Sequence, residues 1–220
     1  MNTNLITYYK ERAKEYERIY DKPERRDDLL QVIKILQQIF TNKTILEIAC
    51  GTGYWTERIA KTAKSIVATD INDAVIEIAK TKNYFPAQVE FRIEDIFNFP
   101  KKGTYDALFG GFIWSHIKIE ELKTFLIQVH KHVTPGGIVV FIDNKYVEGS
   151  SLPITETDEL GNIYQTRTLE NGSTHKVLKN FPNQTFIQDL IKDYAEAITF
   201  HNLKHYWILE YKTRTRLLVK

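Results

Sequence analysis

An acid and two glycines lie close together in "TILEIACGTGYW", residues 44–55, where an apolar run ends in a tight turn. Glycine lets the backbone approach a ligand closely, and a helix that follows such a turn offers free N–H groups. Asp70 ends the next apolar run, where a carboxylate can accept hydrogen bonds from both hydroxyls of a ribose. This spacing favours a nucleotide-type ligand held near Glu47, Gly51, Gly53 and Asp70.

Two cofactor classes use such a layout, and Thr56 distinguishes them. A dinucleotide site prefers G-x-G-x-x-G, in which the third glycine permits close packing of helix on strand. Thr56 occupies that third position, and the chain has no Tyr-x-x-x-Lys pair, so an NAD(P)-dependent oxidoreductase is the weaker alternative. S-adenosylmethionine (SAM) carries no phosphate and instead needs an acceptor for its ammonium group, which Glu47 can supply.

The elements around these residues alternate between strands and helices. Apolar segments at 44–49, 65–70, 87–95, 105–111 and 138–143 alternate with segments of helical periodicity. This alternation predicts a parallel sheet with helices on both faces, and ligands bind beyond the carboxyl ends of such strands. A helix over 185–195 and two final strands within 197–214 follow.

Two flanking regions differ from this core. Residues 7–20 carry tyrosines at helical spacing, which predicts a helix, and a second helix at 29–40 begins after Asp27 or Asp28 as its cap. Residues 144–182 are polar and rich in turn residues, and Asn171-Gly172 predicts the turn of a hairpin.

Five segments in order resemble the motifs of class I SAM-dependent methyltransferases. They are "LEIACGTG", "ATDIN", "IEDIFNFP", "YDALFGGFIWSHI" and "TPGGIVVFID", and together they cover residues 44–143. Ala49 replaces the usual first glycine of the first motif. The segments "DNKYVEGSS" and "NGSTHKVLKNFP" are also similar to those of a bacterial, small-molecule subgroup of this family.

This resemblance implies an α/β, Rossmann-like, doubly wound sheet of seven strands, parallel except for one antiparallel strand, under an N-terminal helical lid. It implies SAM as cofactor and S-adenosylhomocysteine (SAH) as product. Glu47 would hold the ammonium, Asp70 the ribose and Asp95 the adenine amino group, with Glu94 as the alternative to Asp95. The expected cofactor contacts are Glu47, Ala49, Cys50, Gly51, Gly53, Trp55, Asp70, Ile71, Asp95, Ile96, Gly110, Tyr9 and Tyr20.

His116 follows the fourth strand and is the candidate general base, because the pKa of histidine lies near working pH. The alternative is a packing or capping histidine. Trp114 either walls the acceptor pocket or packs in the core. The candidate residues of the acceptor pocket are Trp114, Asn144, Arg12, Arg167 and Lys179.

A magnesium-assisted O-methyltransferase is a further alternative, because Asp143-Asn144 resembles its metal-binding pair. Gly110-Gly111 stand where another carboxylate is needed, so we expect no metal. Cytosine-type and amino-type DNA methyltransferases carry Pro-Cys or Asp/Asn-Pro-Pro-aromatic motifs after strand 4, and both are absent here. The predicted function is methyl transfer to a nitrogen or oxygen of a small-molecule acceptor, with a non-catalytic SAM- or SAH-binding module as the alternative.

The bulk properties favour the same class of protein. A formal net charge of +2 provides no general attraction for nucleic acid or an anionic membrane, and no apolar run approaches the roughly 18 residues of a membrane span. The single cysteine, Cys50, fits a reducing compartment, so we expect the protein in the cytoplasm. We also expect a monomer or a homodimer. We expect one domain over 1–220, made of N-terminal helices (1–42), a SAM-binding core (43–143), a hairpin-like insertion (144–182) and a final helix with strands (183–220).

Overall fold

A seven-stranded sheet forms the centre of the molecule, as the computed structural model shows for residues 3–99 and 103–214. Its strand order is β3-β2-β1-β4-β5-β10-β9, and β10 runs antiparallel to both of its neighbours. The other pairings are parallel. The predicted doubly wound sheet with one antiparallel strand is therefore confirmed.

The strands are bounded as follows: β1 Thr44–Ile48, β2 Ser65–Asp70, β3 Gln88–Ile93, β4 Tyr105–Gly111, β5 Val133–Asn144, β6 Glu156–Thr157, β7 Ile163–Thr168, β8 Thr174–Leu178, β9 Ala195–Asn202 and β10 Tyr206–Thr213. The α-helices are α1 Thr3–Arg12, α2 Arg26–Ile39, α3 Tyr54–Ile59, α4 Asp73–Ala79, α5 Leu122–His130 and α6 Gln184–Ile191. No helix within 3–99 and 103–214 is both long and apolar enough to cross a membrane.

Each face of the sheet carries its own apolar core, because successive strand residues point to opposite sides. Ile45 packs with α2, α3 and α4 on one face. Leu46, the next residue, packs with α5 and α6 on the other. Both faces of the central strands are therefore buried from solvent, which explains why the sequences of these strands are continuously apolar. This burial fixes the carboxyl ends of β1, β2 and β4 at one edge.

The N-terminal region differs from the single helix predicted over residues 7–20. The α-helix ends at Arg12, and residues Ala13–Tyr20 continue as a tighter 3₁₀ helix. Tyr20 ends that segment stacked on Tyr54, with ring centroids 3.5 Å apart. Tertiary packing of this aromatic pair therefore overrides the local helical periodicity.

The segment Thr134-Pro135-Gly136-Gly137 also differs from expectation. Its proline and glycines are typical of a turn that ends a helix, but α5 already ends at His130 and the segment lies within β5. The β4–β5 register shifts between Tyr105 and Ala107, opposite this stretch. Proline has no N–H to donate to a ladder, so an irregular strand end accommodates it.

The insertion forms a second, three-stranded antiparallel sheet of β6, β7 and β8. The predicted hairpin is confirmed, because β7 and β8 pair across the Asn171-Gly172 turn. Tyr8 and Leu5 of α1 pack against Leu169 and Val177 of this sheet in a small apolar cluster. The N-terminal helix and the insertion thus support each other.

Gly53 and Gly136 have the same left-handed backbone but different surroundings. Comparing a substitution at each therefore separates the cost of backbone strain from the cost of steric overlap. Their φ angles are 77° and 76°, and a Cβ on Gly53 would overlap the Tyr84 hydroxyl and lie 3.0 Å from the Ala79 Cβ. The Tyr84 hydroxyl is held by the Ala79 carbonyl at 2.6 Å, so it cannot move aside cheaply. A Cβ on Gly136 would meet nothing within 4 Å.

We expect Gly136→Ala to lower the free energy of unfolding by about 1 kcal/mol through backbone strain alone. Gly53→Ala should lose a further ~1–3 kcal/mol from the overlap. Urea unfolding of both variants measures this difference. Equal losses would show that the space around Gly53 is not as tight as described.

Candidate functional site

A cavity of about 670 Å³, open solvent at its mouth included, lies at the carboxyl ends of β1, β2 and β4. We call it the inner cavity, and its lining includes Ala49, Gly51, Asp70, Ile96 and His116. Ala49 and Gly51 both have left-handed backbones, with φ of 51° and 56°. These angles turn the chain sharply after β1, so that the loop backbone forms one wall of the cavity.

Asp70 ties this loop to the end of β2. Its Oδ2 accepts a hydrogen bond from the Gly51 N–H and its Oδ1 accepts one from the Asn72 N–H, both at 2.9 Å. Burial raises the pKa of Asp70, and these N–H donors oppose the rise. Each carboxylate oxygen keeps lone-pair capacity for a further donor, such as a ribose hydroxyl.

Glu47 lies behind the loop and does not line the inner cavity. It is 2% exposed, and its Oε2 has no hydrogen-bond partner. Burial raises the pKa of Glu47 to about 8, and the nearby negative charge of Asp70 adds to the rise. A cation within reach would favour the ionised form instead.

The two acidic residues after β3, Glu94 and Asp95, have different roles. Glu94 and Ile96 line the inner cavity, whereas Asp95 does not. Asp95 accepts hydrogen bonds from Phe97 N and Asn98 Nδ2, each at 3.0 Å, and so holds the turn after β3. The assignment of Asp95 to an adenine amino group stays a prediction, and Glu94 is the acid at the cavity wall.

The structure brings about half of the predicted cofactor residues to the inner cavity. Those at its wall are Tyr9, Ala49, Gly51, Asp70, Ile71 and Ile96. Those outside it are Glu47, Cys50, Gly53, Trp55, Asp95, Gly110 and Tyr20. Trp55 and Tyr20 belong to the apolar core beside α3, and burial raises the pKa of the Cys50 thiol.

Several lining residues were not predicted. They are Leu5, Ile6, Tyr16, Asn72, Val75, Gly111, Phe112 and Ile113. The tyrosine spacing in the N-terminal region was a usable signal for Tyr16. Leu5 and Ile6 carry no local signal, because only the tertiary position of α1 brings them over the cavity.

The N-terminal region covers the inner cavity and is fastened at several points. Asn72 Nδ2 donates to the Ile6 carbonyl at 3.0 Å, and Lys10 pairs with Asp73 at 3.2 Å. Farther along, Thr52 Oγ1 of the glycine loop donates to Glu17 at 2.6 Å. A lid held by a few polar contacts can open without unfolding the core.

A second, wider cavity of about 1420 Å³, open solvent included, lies between the N-terminal region and the insertion. We call it the outer cavity. Tyr9, Tyr16, Phe112 and His116 line both cavities and form the boundary between them. A group transferred from a ligand in one cavity to a ligand in the other would cross at these residues.

His116 at this boundary has a defined tautomer. Its Nδ1 lies 2.6 Å from the Leu178 carbonyl, which can only accept, so Nδ1 carries the proton. Its Nε2 lies 2.7 Å from the Tyr9 hydroxyl and therefore accepts a hydrogen bond from it. Burial lowers the pKa of His116 well below its usual value, and the positive charges of Lys179 and Arg167 lower it further.

The predicted acceptor-pocket residues fall into two groups. Arg12, Asn144, Arg167 and Lys179 line the outer cavity. Trp114 lines neither cavity and packs instead against Phe141 and Trp207 in the core.

Asp143 at the end of β5 is fully engaged by the protein. Its Oδ1 accepts from Lys179 Nζ at 2.9 Å, and its Oδ2 accepts from the Ser115 N–H at 2.9 Å. Burial lowers the pKa of Lys179 to about 8, although Asp143 opposes that shift. Asn144 Oδ1 accepts from Arg25 at 3.0 Å. In the described part of the chain, no cluster of three or more histidine, cysteine or acidic side chains could hold a metal ion.

The assigned tautomer of His116 can be tested directly. Nitrogen-15 NMR should show a protonated Nδ1 and an unprotonated Nε2, with no titration near the ordinary histidine pKa of about 6.5, because burial depresses the pKa of His116. Lowering the pH through the ordinary histidine pKa should leave the ring neutral. An imidazolium signal growing in near pH 6.5 would contradict the described environment.

Comparison with known proteins agrees with this geometry. Residues 45–137 match the protein family described as "Methyltransferase domain". The malonyl-[acyl-carrier protein] O-methyltransferase of Bacillus cytotoxicus is 33% identical over 101 residues, which cover 44% of this chain and 34% of that protein. The mitochondrial ubiquinone biosynthesis O-methyltransferase of Schizosaccharomyces pombe is 26% identical over 178 residues, covering 78% and 63%. The chain thus spans about a third of the first relative and less than two thirds of the second.

A solved structure is similar over nearly the whole chain. The complex of DhpI with SAM and HEP has a TM-score of 0.81 and 23% identity, and the match covers 96% of this chain and 99% of that one. This likeness shows the fold, including the N-terminal helices and the insertion. Residues 45–137 therefore form a methyltransferase domain, and the motifs and sheet topology around them are those of the SAM-dependent methyltransferase fold.

Proposed function

We propose that this protein transfers a methyl group from SAM in the inner cavity to a nitrogen or oxygen of a small molecule in the outer cavity. The observation that carries the proposal is the shared boundary of Tyr9, Tyr16, Phe112 and His116. The matched methyltransferase domain supports SAM as the donor. The two curated relatives are named as O-methyltransferases, which supports oxygen as the acceptor atom.

The residues of the inner cavity suit the parts of SAM. Asp70 can accept from the ribose hydroxyls, and the backbone around Ala49 and Gly51 lies close enough to hold the amino-acid end. Ile71 and Ile96 offer apolar contact for the adenine, with Glu94 as an acceptor for its amino group. Glu47, whose buried Oε2 has no hydrogen-bond partner, would be ionised by the ammonium of SAM, directly or through water.

Bound SAM supplies a methyl group already activated by the sulfonium, so the protein mainly aligns the acceptor and excludes water. Tyr9 and Tyr16 place aromatic rings at the transfer point, where such rings favour a positive charge. As the new bond to the acceptor forms, the bond from carbon to sulfur breaks and SAH remains.

His116 can take the proton that a hydroxyl acceptor loses. Its Nε2 carries the basic lone pair of the ring, because Nδ1 carries the proton donated to the Leu178 carbonyl. The Tyr9 hydroxyl donates to that lone pair, so an acceptor hydroxyl either displaces it or passes its proton through it. In both cases the proton ends on Nε2. An amine that arrives unprotonated needs no such base at the transfer step.

SAM with a deuterated methyl group, incubated with a bacterial small-molecule extract, tests this proposal. We expect the label on a nitrogen or oxygen of one small molecule, detected by mass spectrometry. His116→Asn preserves a donor toward the Leu178 carbonyl but removes the base, so a hydroxyl acceptor should lose about 10²–10⁴-fold in turnover. An amine acceptor should lose much less.

His201→Asn is the matched control, because His201 lies on β9 away from both cavities. It should retain full turnover. Tight SAH binding without label on any component of the extract would refute methyl transfer and favour a non-catalytic SAM-binding module.

A further inference from the structure

Positively charged side chains dominate the wall of the outer cavity. One acid, Glu15, faces six cations among the described lining residues, namely Arg12, Arg18, Lys22, Arg25, Arg167 and Lys179. The whole chain has a formal net charge of only +2, so this concentration is local. A concave, partly desolvated surface of one sign concentrates ligands of the opposite sign.

Four of these cations are already occupied by contacts of the fold. The contacts are Lys179 with Asp143, Arg18 with Glu170, and Lys22 and Arg25 with Ser150. Each links two distant segments of the chain. These contacts hold the insertion to the rest of the protein.

Arg12 and Arg167 differ from the other four. Their guanidinium carbons lie 5.6 and 5.8 Å from the centre of the Tyr8 ring, so both approach the same tyrosine. Arg167 donates to Gln165 Oε1 at 2.9 Å, but its buried Nε–H has no hydrogen-bond partner. Within the described chain, neither arginine pairs with a carboxylate.

Two unneutralised guanidinium groups beside one ring require an explanation. Two like charges beside one ring repel each other, and the buried Nε–H of Arg167 has the further cost of lacking an acceptor. A carboxylate or phosphate-type group offers planar or tetrahedral oxygens that can accept from the fork of an arginine. Such an anion would remove both penalties together.

We propose that the acceptor is a small anion whose carboxylate or phosphate-type group binds between Arg12 and Arg167, beside Tyr8. This inference rests on the proposed function, because it assigns the chemical class of the molecule methylated in the outer cavity.

The anion site lies close to the transfer point. The rings of Tyr8 and Tyr9 are 4.9 Å apart, and the Tyr9 hydroxyl contacts His116 at 2.7 Å. The anionic group and the methylated atom therefore belong to one compact molecule and are separated by only a few bonds. Binding the anion fixes the direction in which the nucleophilic atom points.

Arginine side-chain NMR on the SAH-saturated protein tests this inference. Inorganic phosphate and benzoate are titrated separately at constant ionic strength, with benzamide as the neutral counterpart of benzoate. We expect at least one anion to shift the Arg167 Nε–H signal saturably, with a dissociation constant on the order of 1 mM. Benzamide should bind at least about tenfold more weakly than benzoate if benzoate is the anion bound.

Two substitutions and a control locate the site. Arg12→Gln, followed through the Arg167 Nε–H signal, should weaken anion binding by at least about fivefold. Arg167→Gln, followed through the Arg12 Nε–H signal, should weaken it by a similar factor. Lys34→Gln removes an exposed cation on α2 and should have no effect. The affinity for SAH, measured by calorimetry on the same samples, should stay within about twofold.

The inference is overturned if neither anion gives a saturable shift, if benzoate binds and benzamide binds as tightly, or if Lys34→Gln weakens binding as much as Arg167→Gln. Those outcomes leave SAH binding intact and so spare the proposed function. Failure of SAH to bind the unmodified protein would instead count against the proposed function, whatever the anions do.

Discussion

Two hydrogen bonds of one imidazole hold the two ends of the candidate site together. His116 follows β4, yet its ring joins Tyr9 of the N-terminal helix to the Leu178 carbonyl at the end of β8. The adjacent residues continue this attachment, because Lys179 donates to Ser115 Oγ at 2.6 Å and Asn180 N donates to the Ser115 carbonyl at 2.8 Å. Leu178, Lys179 and Asn180, which are consecutive in the insertion, thus all hydrogen-bond to the loop after β4. The position of the lid, the shape of the outer cavity and the tautomer of the candidate base all depend on that contact.

The two cavities carry opposite electrostatic character. Asp70 and Glu94 lie at the wall of the inner cavity, and the buried Glu47 lies just behind its loop. Arginines and lysines surround the outer cavity. A ligand with ammonium, sulfonium and hydroxyl groups suits the first surface, whereas an anionic molecule suits the second. This polarity would orient both ligands, with the reacting atoms meeting at the Tyr9–His116 boundary.

The sequence predicted the parts of the site that local patterns determine. Ala49, Gly51 and Asp70 end apolar strands, and the carboxyl ends of parallel strands must lie at one edge, so their meeting at the inner cavity followed from order alone. His116 was placed for the same reason. The core strands and the Asn171-Gly172 hairpin are equally local features.

Other features depended on tertiary geometry that no local pattern contains. The left-handed backbone of Phe112, with φ of 59°, reorients the chain after β4 and brings Phe112 rather than Trp114 to the cavities. Glu94 lines the inner cavity, whereas Asp95 accepts a hydrogen bond that closes the following turn. Tyr20 has the spacing of its neighbours, but its stacking on Tyr54 withdraws it into the core. In these cases the backbone conformation or contacts with other residues determined which side chain lines the inner cavity.

The central claim is that Asp70 and the glycine loop form the SAM site. Calorimetric titration of SAH into Asp70→Ala, with the exposed Asp27→Ala as the matched control, tests it most directly. The account predicts at least about a tenfold rise in the dissociation constant for Asp70→Ala, because two ribose hydrogen bonds to a charged acceptor are lost, and no change for Asp27→Ala. An unchanged affinity in a folded Asp70→Ala protein would contradict it.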